Sequence, residues 1–150
     1  MYEIVSVCTA DAKGLAELDR EVFSVPWSEK SFVDECNNKI AVYYAAKDNG
    51  KIVGYAGFWH VADEGDITNI AVLPEYRRRK IASRLIEAMI KEAKKRSLSL
   101  LTLEVRCSNT AAISLYENYG FKIIGKRKNY YTNPVEDAHI MTLYFGGIYG

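Results

Sequence analysis

The sequence predicts an α/β (α+β) domain built on a mixed, mostly antiparallel central sheet with helices on its faces, in three α/β/α layers. Two observations point there. Segments of strand period and helix period follow one another in the order β α α β β β α β α β β. The chain also has 150 residues, 49% hydrophobic and 26% charged, which suits one domain spanning 1–150 with a single core. No repeat, low-complexity tract or Pro/Gly/Ser-rich linker divides it.

Residues 2–7 alternate as a strand. Residues 12–23 place Leu15, Leu18, Val22 and Phe23 at helical spacing. Pro26-Trp27-Ser28 breaks that helix, and Ser28 is placed to cap a second one running to about Cys36. Residues 40–46 and 51–60 are β-rich and joined by Asp48-Asn49-Gly50, whose Asn-Gly pair signals a tight hairpin. Residues 66–72 extend the meander. After Pro74, residues 81–96 carry Ile81, Leu85, Ala88, Met89 and Ala93 on one face with Lys and Arg dominating the rest, a long amphipathic helix. Residues 100–105 read as a strand buried on both faces. Residues 109–119 form a helix with Gly120 as its left-handed cap, and 121–131 and 138–145 close the domain as a strand pair around Asn133-Pro134.

Composition narrows the function classes. Apolar runs are too short and interrupted to span a bilayer, and the N-terminal residues lack the pattern of a secretion signal, so a soluble cytoplasmic protein is expected. Three separated cysteines, Cys8, Cys36 and Cys107, offer no disulfide framework or CxxC motif. His60 and His139 lie apart without ligand-spaced neighbours, so no metal and no Ser-His or Cys-His nucleophile is expected. The net charge of +1 hides an asymmetry: residues 1–76 carry 6 Lys/Arg against 13 Asp/Glu, and residues 77–106 carry 10 against 3. A polyanionic ligand and a cationic acceptor would suit this division, as would a solvated helix face.

Residues 66–83 carry most information: a strand, a tight Leu73-Pro74-Glu75-Tyr76 connection, the cluster Arg77-Arg78-Arg79-Lys80, then a helix. A helix N-terminus presents unpaired N–H groups and partial positive charge, so this loop is built to cradle phosphate. A solvated basic turn and a nucleic-acid patch are the competing readings, the latter disfavoured by the near-zero net charge.

The stretch NIAVLPEYRRRKIASRLIEAMI resembles the acyl-CoA-binding motif of the GNAT N-acetyltransferases, whose Gln/Arg-x-x-Gly-x-Gly/Ala loop is matched by Arg77, Lys80 and Ala82, with Lys80 where that family has glycine. LTLEVRCSNTAAISLYENYGF, FSVPWSEKSF, and RKNYY followed by EDAHIMTL resemble the RimI-type branch, which acetylates the N-terminal alanine of a small-subunit ribosomal protein. The resemblance implies acetyl-CoA as cosubstrate. Ile70, Ala71 and Val72 would pair with its pantetheine arm, Arg78, Arg79, Lys80, Ile81, Ala82 and Ser83 would hold the pyrophosphate, and Asn109 would bond the cofactor arm. It also implies a protein N-terminus as acceptor, a ribosomal protein above all, with Trp27, Tyr130 and Tyr131 as walls of its groove. A small-amine acetyltransferase, a non-catalytic acyl-CoA binder and a nucleic-acid-binding module are the alternatives.

Two residues bear the chemistry. Glu104 interrupts an apolar strand, where a carboxylate is costly unless paired. It is either salt-bridged, to Arg106 or another cation, or a general base whose pKa rises with partial burial; the resemblance assigns the base here. Tyr116 lies at helical spacing from Ala112, Ile113 and Tyr119. By itself it reads as a core aromatic; the resemblance makes it the general acid, a phenol with an ordinary pKa near 10.

Overall fold

The computed structural model, in which residues 1–145 are described, runs β1 (Glu3–Ser6), α1 (Ala12–Val22), α2 (Glu29–Cys36), β2 (Ala41–Asp48), β3 (Lys51–Val61), β4 (Glu64–Val72), α3 (Ile81–Lys95), β5 (Leu100–Arg106), α4 (Thr110–Asn118), β6 (Lys122–Tyr131) and β7 (Glu136–Tyr144). The seven strands form one sheet in the order β1-β2-β3-β4-β5-β7-β6. Pairs β1/β2, β2/β3, β5/β7 and β6/β7 are antiparallel and β4/β5 is parallel, so the sheet is mixed and mostly antiparallel, as expected.

The chain divides into two units. The first holds Met1–His60 with Thr68–Glu92, the second Val61–Ile67 with Ala93 onward. In the first, β2 and β3 meet at Asn49 and Gly50, whose φ of 51° and 84° are the paired positive values of a type I′ turn. Ser28 caps α2, its Oγ accepting from the Ser31 N–H at 3.1 Å. The core gathers Leu15, Leu18, Phe32, Tyr55, Phe58, Leu73, Ile81, Leu85 and Met89. Phe32 of α2 stands edge-on to Tyr55 of β3, ring centroids 5.7 Å apart. The ring of Tyr43 lies over Gly57 and leaves no room for a Cβ there.

In the second unit Asn109 caps α4 by accepting from the Ala112 N–H at 3.2 Å, and Gly120 follows with φ of 95°. The Tyr116 and Phe121 rings pack with centroids 5.5 Å apart, and Leu101, Leu103 and Met141 are buried in the same unit. One expectation needs correcting. β5 is not buried on both faces: Leu101, Leu103 and Val105 are buried while Leu100, Thr102, Glu104 and Arg106 are half-exposed, a period-2 pattern that four long or polar side chains on one face allow. The closing strands pair with each other as expected, and β7 lies between β5 and β6. β7 brings buried Ala138, Met141 and Thr142 to the inner position, and the largely exposed, cationic β6 takes the edge.

Candidate active site

In the first unit β4 ends at Val72 and a single 3₁₀ turn, Pro74–Tyr76, redirects the chain into the basic cluster. The Lys80 carbonyl accepts from the Arg84 N–H at 3.0 Å, so Lys80 caps α3 and the N–H groups of Ile81, Ala82 and Ser83 have no acceptor within the helix. A cavity of about 280 Å³ opens here, lined by Val72, Tyr76, Arg77, Arg78, Lys80, Ile81, Ala82 and Ser83. Its donor N–H groups and cations fit a pyrophosphate. Lys80 and Arg78 both adopt left-handed backbone, φ of 63° and 68°. The loop thus keeps at Lys80 the conformation that glycine adopts freely. Arg79 is outside this lining: its guanidinium stacks 4.7 Å from the Tyr76 ring, and its carbonyl accepts from the Tyr2 hydroxyl. Among the strand residues expected to meet the cofactor arm, Ala71 is buried while Ile70 and Val72 are half-exposed.

Trp27, also in the first unit, sits between α1 and α2 with 42% of its surface exposed. It borders a cavity of about 370 Å³ with Ser31, Asp34, Glu35 and Asn38. Glu35 is buried and accepts from Trp59 Nε1 at 2.6 Å, the Tyr43 hydroxyl at 2.8 Å and Asn38 Nδ2 at 3.2 Å.

The second unit gathers Glu104, Tyr130 and Tyr131 with residues that sequence reasoning passed over. Glu104, its side chain 19% exposed, accepts from Arg127 Nε at 3.0 Å. The partner is Arg127 and not Arg106, which reaches instead to Glu136 at 3.2 Å and to the carbonyls of Pro134 and Thr132. The two arginines also order the tyrosines: Arg106 lies 4.4 Å over the Tyr131 ring and Arg127 6.0 Å over Tyr130, the rings meeting edge-to-face at 5.0 Å. Burial, then Tyr130 and Glu104, push Tyr131 up to about 12, against the pull of Arg106.

Asp66 is the residue missed. It stands in register with Thr102, two residues before Glu104 on the neighbouring strand. Its surface is exposed, but partial desolvation among its neighbours, then the Glu104 charge, raise its carboxyl above the usual range, with Arg127 opposing. Only cross-strand register reveals it.

Tyr116, 8% exposed, does not keep an ordinary phenol's acidity: burial, then Tyr131, push its pKa up. Asn109 uses its Oδ1 as the cap of α4. Among the described residues no three His, Cys, Asp or Glu are grouped to hold a metal ion, and no helix is long and apolar enough to cross a membrane.

A basic helix start after a strand, and a carboxylate–guanidinium–tyrosine cluster on the later strands, agree with a family match that covers residues 12–121: the acetyltransferase (GNAT) family. The chain belongs to the GNAT family of acetyltransferases. Among its relatives, this acetyltransferase is 39% identical over 132 residues, 87% of each chain, to the putative [ribosomal protein bS18]-alanine N-acetyltransferase of Bacillus subtilis. The crystal structure of the ribosomal-protein-S18-alanine N-acetyltransferase from Escherichia coli superposes with a TM-score of 0.89 at 38% identity, covering 99% of this chain and 97% of that one. Arabidopsis thaliana NAA60 in complex with acetyl-CoA shares the fold, with a TM-score of 0.87 at 19% identity over 98% of this chain and 100% of that one.

Proposed function

We propose that this acetyltransferase moves the acetyl group of acetyl-CoA directly onto the N-terminal α-amine of a protein, the N-terminal alanine of ribosomal protein bS18. The observation that carries the reading is the Glu104 carboxylate, held by Arg127 at 3.0 Å with Tyr130, Tyr131 and Asp66 around it. It is supported by the Bacillus and Escherichia relatives, both named for that acceptor. Acetyl-CoA supplies an acetyl group already activated as a thioester. Its pyrophosphate meets the N–H groups of Ile81, Ala82 and Ser83 and the side chains of Arg78 and Lys80. Ile70, Ala71 and Val72 take the pantetheine arm as an added strand, Asn109 adds a contact to it, and Arg79 contributes by keeping Tyr76 in place.

Paired with Arg127 through Oε2, Glu104 removes a proton from the acceptor's ammonium nitrogen through Oε1, directly or through water. An α-amine, with a pKa of about 7.7–8.0, yields that proton near neutrality far more readily than lysine at about 10.4. The freed amine attacks the acetyl carbonyl. As the C–S bond breaks, Tyr116 gives its phenolic proton to the departing sulfur and the second proton shed by the acylated nitrogen restores the phenol; its raised pKa keeps Tyr116 protonated before the reaction throughout the working pH range. Trp27, Tyr130 and Tyr131 wall the acceptor groove, and the acidic cavity beside Trp27 suits basic residues in the peptide. The cytoplasm, where nascent ribosomal protein and acetyl-CoA coexist, is the place of action.

The test is a thiol-release assay with acetyl-CoA against peptides bearing free N-terminal Ala, Ser, Gly or Met followed by basic residues, the same peptides blocked but carrying Lys, and small amines. The free Ala peptide is expected to give the highest kcat/KM. Ser and Gly should follow closely, since one methylene is worth only about 1–3 kcal/mol. Equal or better turnover of blocked Lys peptides or polyamines overturns the acceptor.

A further inference from the structure

Asp19, on α1, is 1% exposed, and the proton chemistry above leaves it no part. Burying a carboxylate is costly unless its oxygens are fully used, and these are. Oδ1 accepts from the Tyr55 hydroxyl at 2.6 Å, and Oδ2 accepts from the backbone N–H of Trp27 at 2.9 Å. Tyr55 in turn accepts from Asn69 Nδ2 at 2.8 Å. The donors therefore run one way, from Asn69 on β4 through Tyr55 on β3 to the carboxylate on α1. The Asp19 carbonyl also accepts from the Phe23 N–H at 2.9 Å where α1 ends. One residue thus fixes both the departure of the α1–α2 loop and its return. Within that loop Val25 is 74% exposed, while the Trp27 ring leans on Phe32 at 5.4 Å, which itself stands against Tyr55. Trp27 is held at its amide by Asp19 and at its ring by Phe32.

We propose that Asp19 is a positioning residue for the acceptor: it sets the place of the Trp27 indole at the rim of the acidic cavity, and so sets the affinity for the peptide and not the rate of acetyl transfer. This rests on the reading of Trp27 as a wall of the acceptor groove. Asparagine at position 19 has one acceptor where two are needed. Its NH₂ would face the Trp27 N–H or turn toward Tyr55, whose oxygen already serves Asn69.

The experiment labels the two tryptophans with 5-fluorotryptophan and follows them by ¹⁹F NMR in Asp19→Asn and Tyr55→Phe, with Trp27→Phe giving the assignment. Trp59, bonded to Glu35, is the internal reference. In Asp19→Asn the Trp27 resonance should shift and broaden while that of Trp59 stays. KM for the Ala peptide should rise about tenfold, the scale of a charged hydrogen bond, with kcat and the KM for acetyl-CoA within about twofold. Tyr55→Phe, which keeps the Trp27 amide bond but frees the other oxygen, should change both readouts in the same sense and less; it decides the matter should Asp19→Asn fail to fold. An unmoved Trp27 resonance, or both KM values rising alike, overturns the proposal. The resonance needs no acceptor, so a moved Trp27 with no peptide acetylated overturns the bS18 assignment and leaves the positioning role standing.

Discussion

Replacing Lys80 by glycine restores the residue the acyl-CoA loop of this family normally carries, and the structure gives the sign of the effect. Lys80 has φ of 63°, where a side chain costs about 1–2 kcal/mol that glycine avoids. Glycine returns part of this through the freedom it adds to the unfolded chain, about 0.4–1 kcal/mol. The net gain is about 0.5–1 kcal/mol, or roughly 1–4 °C in Tm for a chain of this size. Removing one cation from a run of four also relieves repulsion, so Lys80→Ala is the necessary control: alanine loses the charge and keeps the strained φ. Calorimetric melting without cofactor should rank Lys80→Gly above both Lys80→Ala and the parent. Titration of acetyl-CoA should show both variants weakened by less than about fivefold, because Arg77 and Arg78 line the same cavity and one partly exposed ion pair is worth at most about 1 kcal/mol. A Lys80→Gly protein melting no higher than Lys80→Ala would refute the strain argument.

Glu104→Gln and Tyr116→Phe should each lower kcat by roughly 10²- to 10⁴-fold with unchanged acetyl-CoA affinity; near-normal turnover in either returns that residue to a structural role. Since burial raises the Tyr116 pKa, kcat should show no falling limb at pH 10, where an ordinary phenol would lose its proton. Asp66 has a raised folded-state pKa, so its stabilising contribution is full below the ordinary carboxylate range and is lost as pH rises through the raised value. Asp66→Asn should therefore melt higher than the parent at pH 7 and lose that advantage at pH 3; a lower Tm at pH 7 contradicts the assignment. Gly57→Ala puts a methyl into the Tyr43 ring and should cost about 1–3 kcal/mol, seen as a lower urea midpoint. Gly57→Ala combined with Tyr43→Ala should recover part of it.

What was legible in the sequence was what local chemistry determines. Asn49-Gly50, Ser28, Asn109 and Gly120 each announce a turn or cap through their own backbone or side-chain needs, and each occupies that position. The strand run before Arg77 and the helix from Ile81 were equally plain. What escaped depends on cross-strand register. Nothing local ranks β7 ahead of β6 for the inner place, and the proximity of Asp66 to Glu104 appears only once β4 and β5 are aligned in parallel. The sequence leaves the partner of Glu104 open between Arg106 and another cation, and β6 delivers Arg127. Lys80 looked like a departure from a glycine motif; the left-handed backbone there shows that the conformation is kept and only the side chain differs.

The outermost strand β6 carries Lys122, Lys126, Arg127 and Lys128 along an exposed edge. Such an edge invites pairing with another chain, and a row of cations discourages it. Arg127 belongs to that row and also holds Glu104. With Glu104 as the proposed base, solubility and chemistry draw on the same residue, and a variant that neutralises all of β6 to improve crystallisation would be expected to trade monodispersity and activity together, whereas changes that spare Arg127 would separate the two.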